Sequence, residues 1–338
     1  MILFGEQFDI NQLYSFASAQ GLTAFLWEYV YQQLLSGKLD ADKLPVNLKV
    51  RWALASDNII KRYHQPRTLS FEFAGKMAEY GIRVYGLKGL SLSKYYPRPE
   101  LRECGDFDCW MDDDFERGNL LAQQFGARYN PYDYRHSVLN YKGLIVENHR
   151  YFMVLRGSGR NKRMERYLRD IIHSDKQLDD SKIYLPSSQF QAQFTILHMM
   201  HHFLYESITV RHLLDWHYFV AAEKDNVDWR EFNAKCKEAG VDRFIAAVNH
   251  ICIKRFGLDI SSTQLKTDGQ YADKIWNDTI NQNAHRASGV ENIWKQRYLK
   301  LKNVVSQRWK FNDVYDRDLL SSLAQIFLGM IFDRNVRF

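Results

Sequence analysis

Cysteine and proline are scarce in this chain. The four cysteines, Cys104, Cys109, Cys236 and Cys252, form no C-x-x-C pair. Few, scattered thiols in a chain this size read as reduced and intracellular, so a cytoplasmic protein is expected. Six prolines and 18 glycines in 338 residues exclude a collagen-like or linker-rich chain. Charge of one sign is missing too: 46 basic against 40 acidic residues leave a net +6. That mild excess suits a phosphate-bearing ligand but does not establish nucleic-acid binding. The longest strongly apolar run, Leu323 to Phe332, contains Gln325 and falls short of the roughly 20 residues a bilayer span needs. It reads as a buried C-terminal helix. The start, Met1 to Ile10, has no basic segment followed by an apolar one, so no signal peptide is expected. No repeat and no low-complexity segment occur.

What is present is core material. Hydrophobic residues make up 46% and aromatics 14%, enough to bury a large core. Apolar residues recur at helical spacing through Leu13, Phe16, Phe25, Leu26 and Tyr29. A second run begins at Leu44-Pro45-Val46 and continues through Trp52, Ile59, Leu69, Phe73 and Met77 to Tyr80. The pattern changes after Gly81. Strand-like segments are expected at Ile82–Leu87, Phe107–Met111, Ala127–Tyr129, Ser137–Tyr141 and Leu144–His149. A short helix is expected over Gly89–Tyr96, and another after Asp112-Asp113-Asp114, which reads as an N-cap region. Helices return past Arg156: Met164–His173, Ser187–Tyr205, Val210–Glu223, Trp229–Ala239, Asp242–Phe256, Tyr271–Asn281, Asn292–Trp309 and Arg317–Phe332. The expected division is an N-terminal helical segment (1–80), a small α/β or α+β core (81–155) and a C-terminal helical domain (156–338).

The chemistry concentrates between Gly86 and Met111. In Gly105-Asp106-Phe107-Asp108, two aspartates at i and i+2 of a strand share a face, while Phe107 and Cys109 point to a core. Two carboxylates that close repel unless a cation sits between them. Mg²⁺, or Mn²⁺, takes carboxylate oxygens together with substrate phosphates. Glu147, on the strand-like Ile145 to His149, is placed to join them from a neighbouring strand. Three carboxylates around one cleft are the ligand set of two-metal phosphoryl transfer. Lys88 and Gly89 stand at a strand-to-helix junction, where a glycine backbone and a helix N-terminus favour a phosphate. Lys88 would add a charged contact and Ser91 a hydroxyl. Arg102 would bind phosphate or buttress the carboxylates.

These residues carry a resemblance. Lys88-Gly89, a short helix ending in Tyr95-Tyr96-Pro97, Arg102 with Gly105-Asp106 and Asp108, then Val146-Glu147 and His149, resemble the bacterial uncharacterised nucleotidyltransferase family. That family belongs to the polymerase-β-like nucleotidyltransferase superfamily. Looser matches run through His198, His201 and His202 and through Arg211 to Asp215. The resemblance implies an α+β fold: a small mixed β-sheet with an N-terminal helical segment and a larger C-terminal helical region. It implies Asp106, Asp108 and Glu147 as metal ligands and catalytic residues, with Lys88, Gly89, Ser91 and Arg102 on the nucleotide. An NTP would be the donor. The acceptor would be a small molecule, a glycan precursor of polysaccharide biosynthesis or, behind these, RNA. The phosphate turn departs from the wider superfamily, with Lys88-Gly89 where Gly-Ser is usual.

Plainer readings stand beside these. Asp106 and Asp108 could be solvated turn acids, and Glu147 an exposed strand residue. His149 either touches the site or is a satisfied strand histidine. His198 and His202 have i, i+4 spacing, but no H-E-x-x-H pattern supports zinc hydrolysis; a helix lining the cleft is expected instead. Arg211 and Asp215 make an i, i+4 ion pair in the plainer reading. Arg156 to Arg169 is the densest basic stretch, lacks the P-loop pattern and reads as a loop and a solvated helix face. Lys295, Arg297, Lys300, Lys302, Arg308 and Lys310 read as a basic amphipathic helix, with a nucleic-acid face as the alternative. Two other functions compete with the enzyme: a non-catalytic nucleotide- or sugar-nucleotide-binding partner protein, and a toxin-like nucleotidyltransferase that modifies tRNA.

Overall fold

The computed structural model describes residues 10–40, 42, 44–130, 134–155, 158–281, 302, 305–316 and 319–323. The basic turn at 156–157 and most of the helices expected over 292–309 and 317–332 lie outside them. The chain opens with three helices, α1 (Ile10–Ala19), α2 (Thr23–Leu35) and α3 (Val46–Glu79). α3 begins right after Pro45, whose fixed φ suits a helix entry. Strand β1 (Val84–Gly86), a single turn α4 (Leu90–Ser93), β2 (Phe107–Trp110), α5 (Phe115–Gln124) and β3 (Arg128–Asn130) follow. Then come β4 (His136–Tyr141), β5 (Leu144–His149), α6 (Gly159–Ile171) and β6 (Ile183–Tyr184). Helices α7 (Ser188–Tyr205), α8 (Val210–Glu223), α9 (Trp229–Ala239), α10 (Asp242–Phe256) and α11 (Ala272–Ile280) complete the labelled elements. None of the described helices is long and apolar enough to cross a membrane.

The six strands form one mixed sheet in the order β3-β4-β5-β2-β1-β6. β2 runs parallel to β5 and antiparallel to β1, and β6 runs parallel to β1. Alternation sends the side chains of β1 and β2 to two different cores. Phe107 and Cys109 of β2, with Val84, Leu139 and Val146, pack under α3 and α5 through Phe73, Met77 and Leu121. Tyr85, Leu87 and Trp110 face the other way. They join a cluster that holds Ala17, Leu26 and Trp52 from the N-terminal helices together with Phe194, Trp216 and Phe244 from α7, α8 and α10. The helices at the two ends of the chain thus share one core against one face of the sheet. Hydrogen bonds tie them as well: Val210 N–H donates to Gln20 Oε1 (2.8 Å), and Gln20 Nε2 donates to Thr279 O (3.0 Å).

The expected α+β arrangement, a mixed sheet between helical regions, is the observed one. The helices at Val210–Glu223, Trp229–Ala239 and Asp242–Phe256 have the expected bounds. Asp228 caps α9 as expected, accepting from Arg230 N and Glu231 N. Other details differ. β6 is two residues long, too short to show a period. α6 starts five residues before the expected Met164, because Ser158 accepts from Asn161 N and caps it there. Asp114 stands at the N-cap of α5 but makes no side-chain cap bond; its carboxylate pairs with Arg117, while Asp113 pairs with Arg169. The α6 arginines are not simply solvated. Arg163 pairs with Glu238 and Arg169 with Glu165. Lys310, expected on an open basic face, is buried against Asp278 Oδ2 at 2.6 Å.

Gly86 closes β1 where no side chain fits. A Cβ there would lie 2.6 Å from Ser91 Oγ and 3.1 Å from Ile183 Cγ2. Gly86→Ala is expected to cost about 1–3 kcal/mol, the usual range for overpacking a core. Urea unfolding should read that loss, and Ser91→Ala added in the same chain should recover part of it.

Candidate active site

The site is built by strand register. Asp108 of β2 lies directly opposite Glu147 of β5, as Phe107 does Val146 and Cys109 does Asn148. Paired residues on neighbouring strands point to the same face, so the two carboxylates stand side by side. Asp106 lies in the bend just before β2, close enough to feel the charges of Asp108 and Lys88. β1 supplies the cation. Leu87 N–H donates to Asp108 O (3.0 Å), which extends the β1–β2 ladder one residue and delivers Lys88 to the acids. Its Nζ lies 2.5 Å from Asp108 Oδ1. His149 Nε2 lies 2.9 Å from the same oxygen. Since Asp108 is ionised, Nε2 must carry the proton and donate. One oxygen each of Asp108 and Glu147, with a ring nitrogen of His149, lie within 4.8 Å of one another.

Charge is unevenly satisfied. Burial alone would raise the Asp108 carboxyl, but Lys88 and the His149 hydrogen bond outweigh it and hold Asp108 well below the usual carboxylate range. Burial and the neighbouring Asp108 push Glu147 up to about 7. Burial and Asp108 raise Asp106 as well. His149 is held below its ordinary value, burial outweighing its bond to Asp108. Lys88 therefore pairs directly with Asp108, while Glu147 reaches only His136, at 4.0 Å. Oxygen donors with unbalanced negative charge are what a hard divalent cation takes. The residues present fit such an ion.

The expected nucleotide residues divide. Gly89 stays beside the acids. It adopts φ +47°, which a glycine tolerates, and a Cβ there would meet Asp106 O at 3.5 Å. Ser91 is fully buried, and its hydroxyl donates to Gly86 O at 2.7 Å, so it packs the turn rather than facing a phosphate. The helix after Gly89 is one turn, too short for the macrodipole expected of it. Arg102 is buried and committed elsewhere. It forms a two-pronged pair with Asp215 of α8, Nε to Oδ1 at 2.7 Å and Nη2 to Oδ2 at 2.8 Å. Tyr96 OH also donates to Asp215 Oδ1, at 2.7 Å. Asp215 thus takes Arg102 rather than the expected Arg211, whose Nη1 donates to Glu103 O at 2.8 Å.

Helix α7 brings its histidines toward this cleft. His198 Nε2 and His202 Nε2 are 2.8 Å apart, and His202 Nδ1 is 2.6 Å from Glu206 Oε2. Burial first, then the charge of Lys88, holds His198 well below its ordinary value. Burial and Arg135 hold His201 down at about 3. His136 was not singled out from the sequence, yet it pairs in register with His149 and reaches to 4.0 Å from Glu147 Oε2. Its only available signal was the β4–β5 pairing, and the expected strand began one residue after it. A cavity of about 450 Å³ lies elsewhere, past the ends of β2 and β5, between Trp110, Phe115, Arg150 and Arg169. The three guanidiniums that line it, Arg117, Arg150 and Arg169, already have carboxylate partners, so the unbalanced charge sits at Asp106 and Glu147.

Residues 6–257 match the family described as uncharacterised nucleotidyltransferase. The chain belongs to that family. The match spans all six strands and the helices through α10. No curated protein and no solved structure matches the chain.

The Arg102–Asp215 pair holds the loop before β2 against α8. Removing one member of a buried pair strands the other's charge and typically costs about 3–5 kcal/mol. Arg102→Ala and Asp215→Ala are each expected to lose about that much in urea unfolding. The double variant should lose less than the sum, because both changes break one interaction.

Proposed function

We propose that this chain transfers a nucleoside monophosphate from an NTP to an acceptor hydroxyl or phosphate, releasing pyrophosphate. The observation that carries the reading is the register of Asp108 against Glu147, with Asp106 two residues away, in a chain of this family. Asp106, Asp108 and Glu147 are the residues we assign to the metal, Mg²⁺ or Mn²⁺, in a two-metal arrangement. Bound there, the metal would neutralise the triphosphate and favour loss of the acceptor proton. His149 holds Asp108 ionised and oriented through Nε2–H. Gly89 leaves the backbone open beside Asp106 for a phosphate to approach. Lys88 supplies a positive charge between acids and nucleotide. The helical region past β5, with His198 and His201 of α7, forms the opposite wall and chooses the acceptor. Catalysis of this kind rests on positioning and on electrostatic stabilisation of charge. We favour a small-molecule or glycan-precursor acceptor over RNA. In support, Arg163, Arg169 and Lys310, cations of the two basic stretches, are already matched to acids.

A thermal-shift panel of ATP, GTP, CTP and UTP, each with and without Mg²⁺, tests the reading. A ligand at 100 times its dissociation constant adds about 2.7 kcal/mol. The expected result is a Mg²⁺-dependent shift with at least one NTP that vanishes in Asp106→Ala/Asp108→Ala. A folded wild-type protein that no NTP shifts would sink the proposal.

Glu147 adds a pH signature. Its folded value, about 7, lies above the ordinary 4.5. Its protonation therefore stabilises the metal-free fold fully below about 4.5, and that contribution is lost as pH rises through about 7. Metal needs the ionised form, so Mn²⁺ affinity should climb between about pH 5.5 and 7.5, with proton release. Calorimetry in buffers of different ionisation enthalpy would detect the proton. Glu147→Gln should reduce both the release and the slope in metal-free stability.

A further inference from the structure

Lys88 was expected on a phosphate, and its ammonium instead touches the carboxylate that the metal needs. Nζ lies 2.5 Å from Asp108 Oδ1, and His149 Nε2 lies 2.9 Å from the same atom. That oxygen already accepts from two donors. A divalent ion bound by Asp108 and Glu147 would stand beside the ammonium, and two cations in a buried site repel. Lys88 is not locked in place. It sits past the end of β1, its side chain is 18% exposed, and the next residue, Gly89, can change conformation at little cost.

We propose that Lys88 is a resident counter-ion that a divalent metal displaces from Asp108. Metal and ammonium compete for one oxygen, so the metal alone binds weakly. The displaced ammonium needs a new anion, and the triphosphate of the incoming nucleotide is the one at hand. Metal and triphosphate therefore bind together better than either does alone, with Lys88 as the coupling residue. This inference rests on the metal-site reading above and adds the exchange to it. Lys88 acts here as a positioning residue, holding Asp108 until the metal arrives.

The test is Mn²⁺ binding without nucleotide, read by the electron paramagnetic resonance of the free ion, in wild type, Lys88→Met and Lys88→Arg. Lys88→Met keeps the length of the side chain and removes its charge. It should bind Mn²⁺ at least about tenfold more tightly than wild type, while Lys88→Arg stays near wild type. Asp108→Asn should remove the site in every background. Equal or weaker Mn²⁺ binding in Lys88→Met would overturn the inference while leaving the metal site standing. No Mn²⁺ uptake by wild type or by Lys88→Met would overturn both. The wild-type protein offers a check that does not depend on a variant folding. Acylation of Lys88 by acetic anhydride, read by mass spectrometry, should rise with saturating Mg²⁺ and fall again when tripolyphosphate is added. Labelling that Mg²⁺ leaves unchanged would overturn the displacement.

Discussion

Like charges held side by side organise this molecule. Asp108 and Glu147 stand opposite each other on parallel strands, with Asp106 close by, in a place where burial penalises every one of them. Left alone, such a set would push its strands apart or take up protons. Two features of the fold answer it. The β1–β2 ladder runs one residue past β1 and brings Lys88 onto Asp108. The β5 strand ends in His149, which donates to the same oxygen. Both answers favour Asp108, which is why the unmet charge collects on Glu147 and Asp106. Unmet charge in a fixed place is the opening for a cation.

The rest of the architecture keeps that place rigid. The loop leading to β2 is clamped from behind, with Arg102 on Asp215 and Glu103 O on Arg211. Glu103 Oε1 accepts Thr23 N–H at the start of α2 (3.0 Å), so the same loop also anchors an N-terminal helix. Both helical ends of the chain therefore hold one short segment. The ion pair gains its strength from burial and from its two parallel hydrogen bonds. A buried pair rarely outperforms apolar packing in stability; the position of this one makes the loop before the acids depend on α8.

Much of this was legible in the residues. The core face of β2 was legible from strand alternation, and Phe107 and Cys109 accordingly lie in the core under α3 and α5. The bounds of α8, α9 and α10 followed from periodicity and caps. What misled was distance. Arg102 is four residues from Asp106 and looked like its neighbour, yet its charge is spent on Asp215, 113 residues on. Ser91 looked like a phosphate ligand, yet its nearest acceptor is the carbonyl of Gly86. Lys88 looked like a nucleotide residue, and the ladder turned it onto the acids.

The sequence by itself determined most of the helices, the strands β1 to β5 and the core face of β2. These are local properties: they depend on residue type and on spacing within a few positions. Only the tertiary structure decided which carboxylate meets a cation closely. Charge is compensated across space, by residues that chain folding brings within about 3 Å from anywhere in the sequence. That is why Asp108 is settled, Glu147 is not, and His136 and His149 belong to one site.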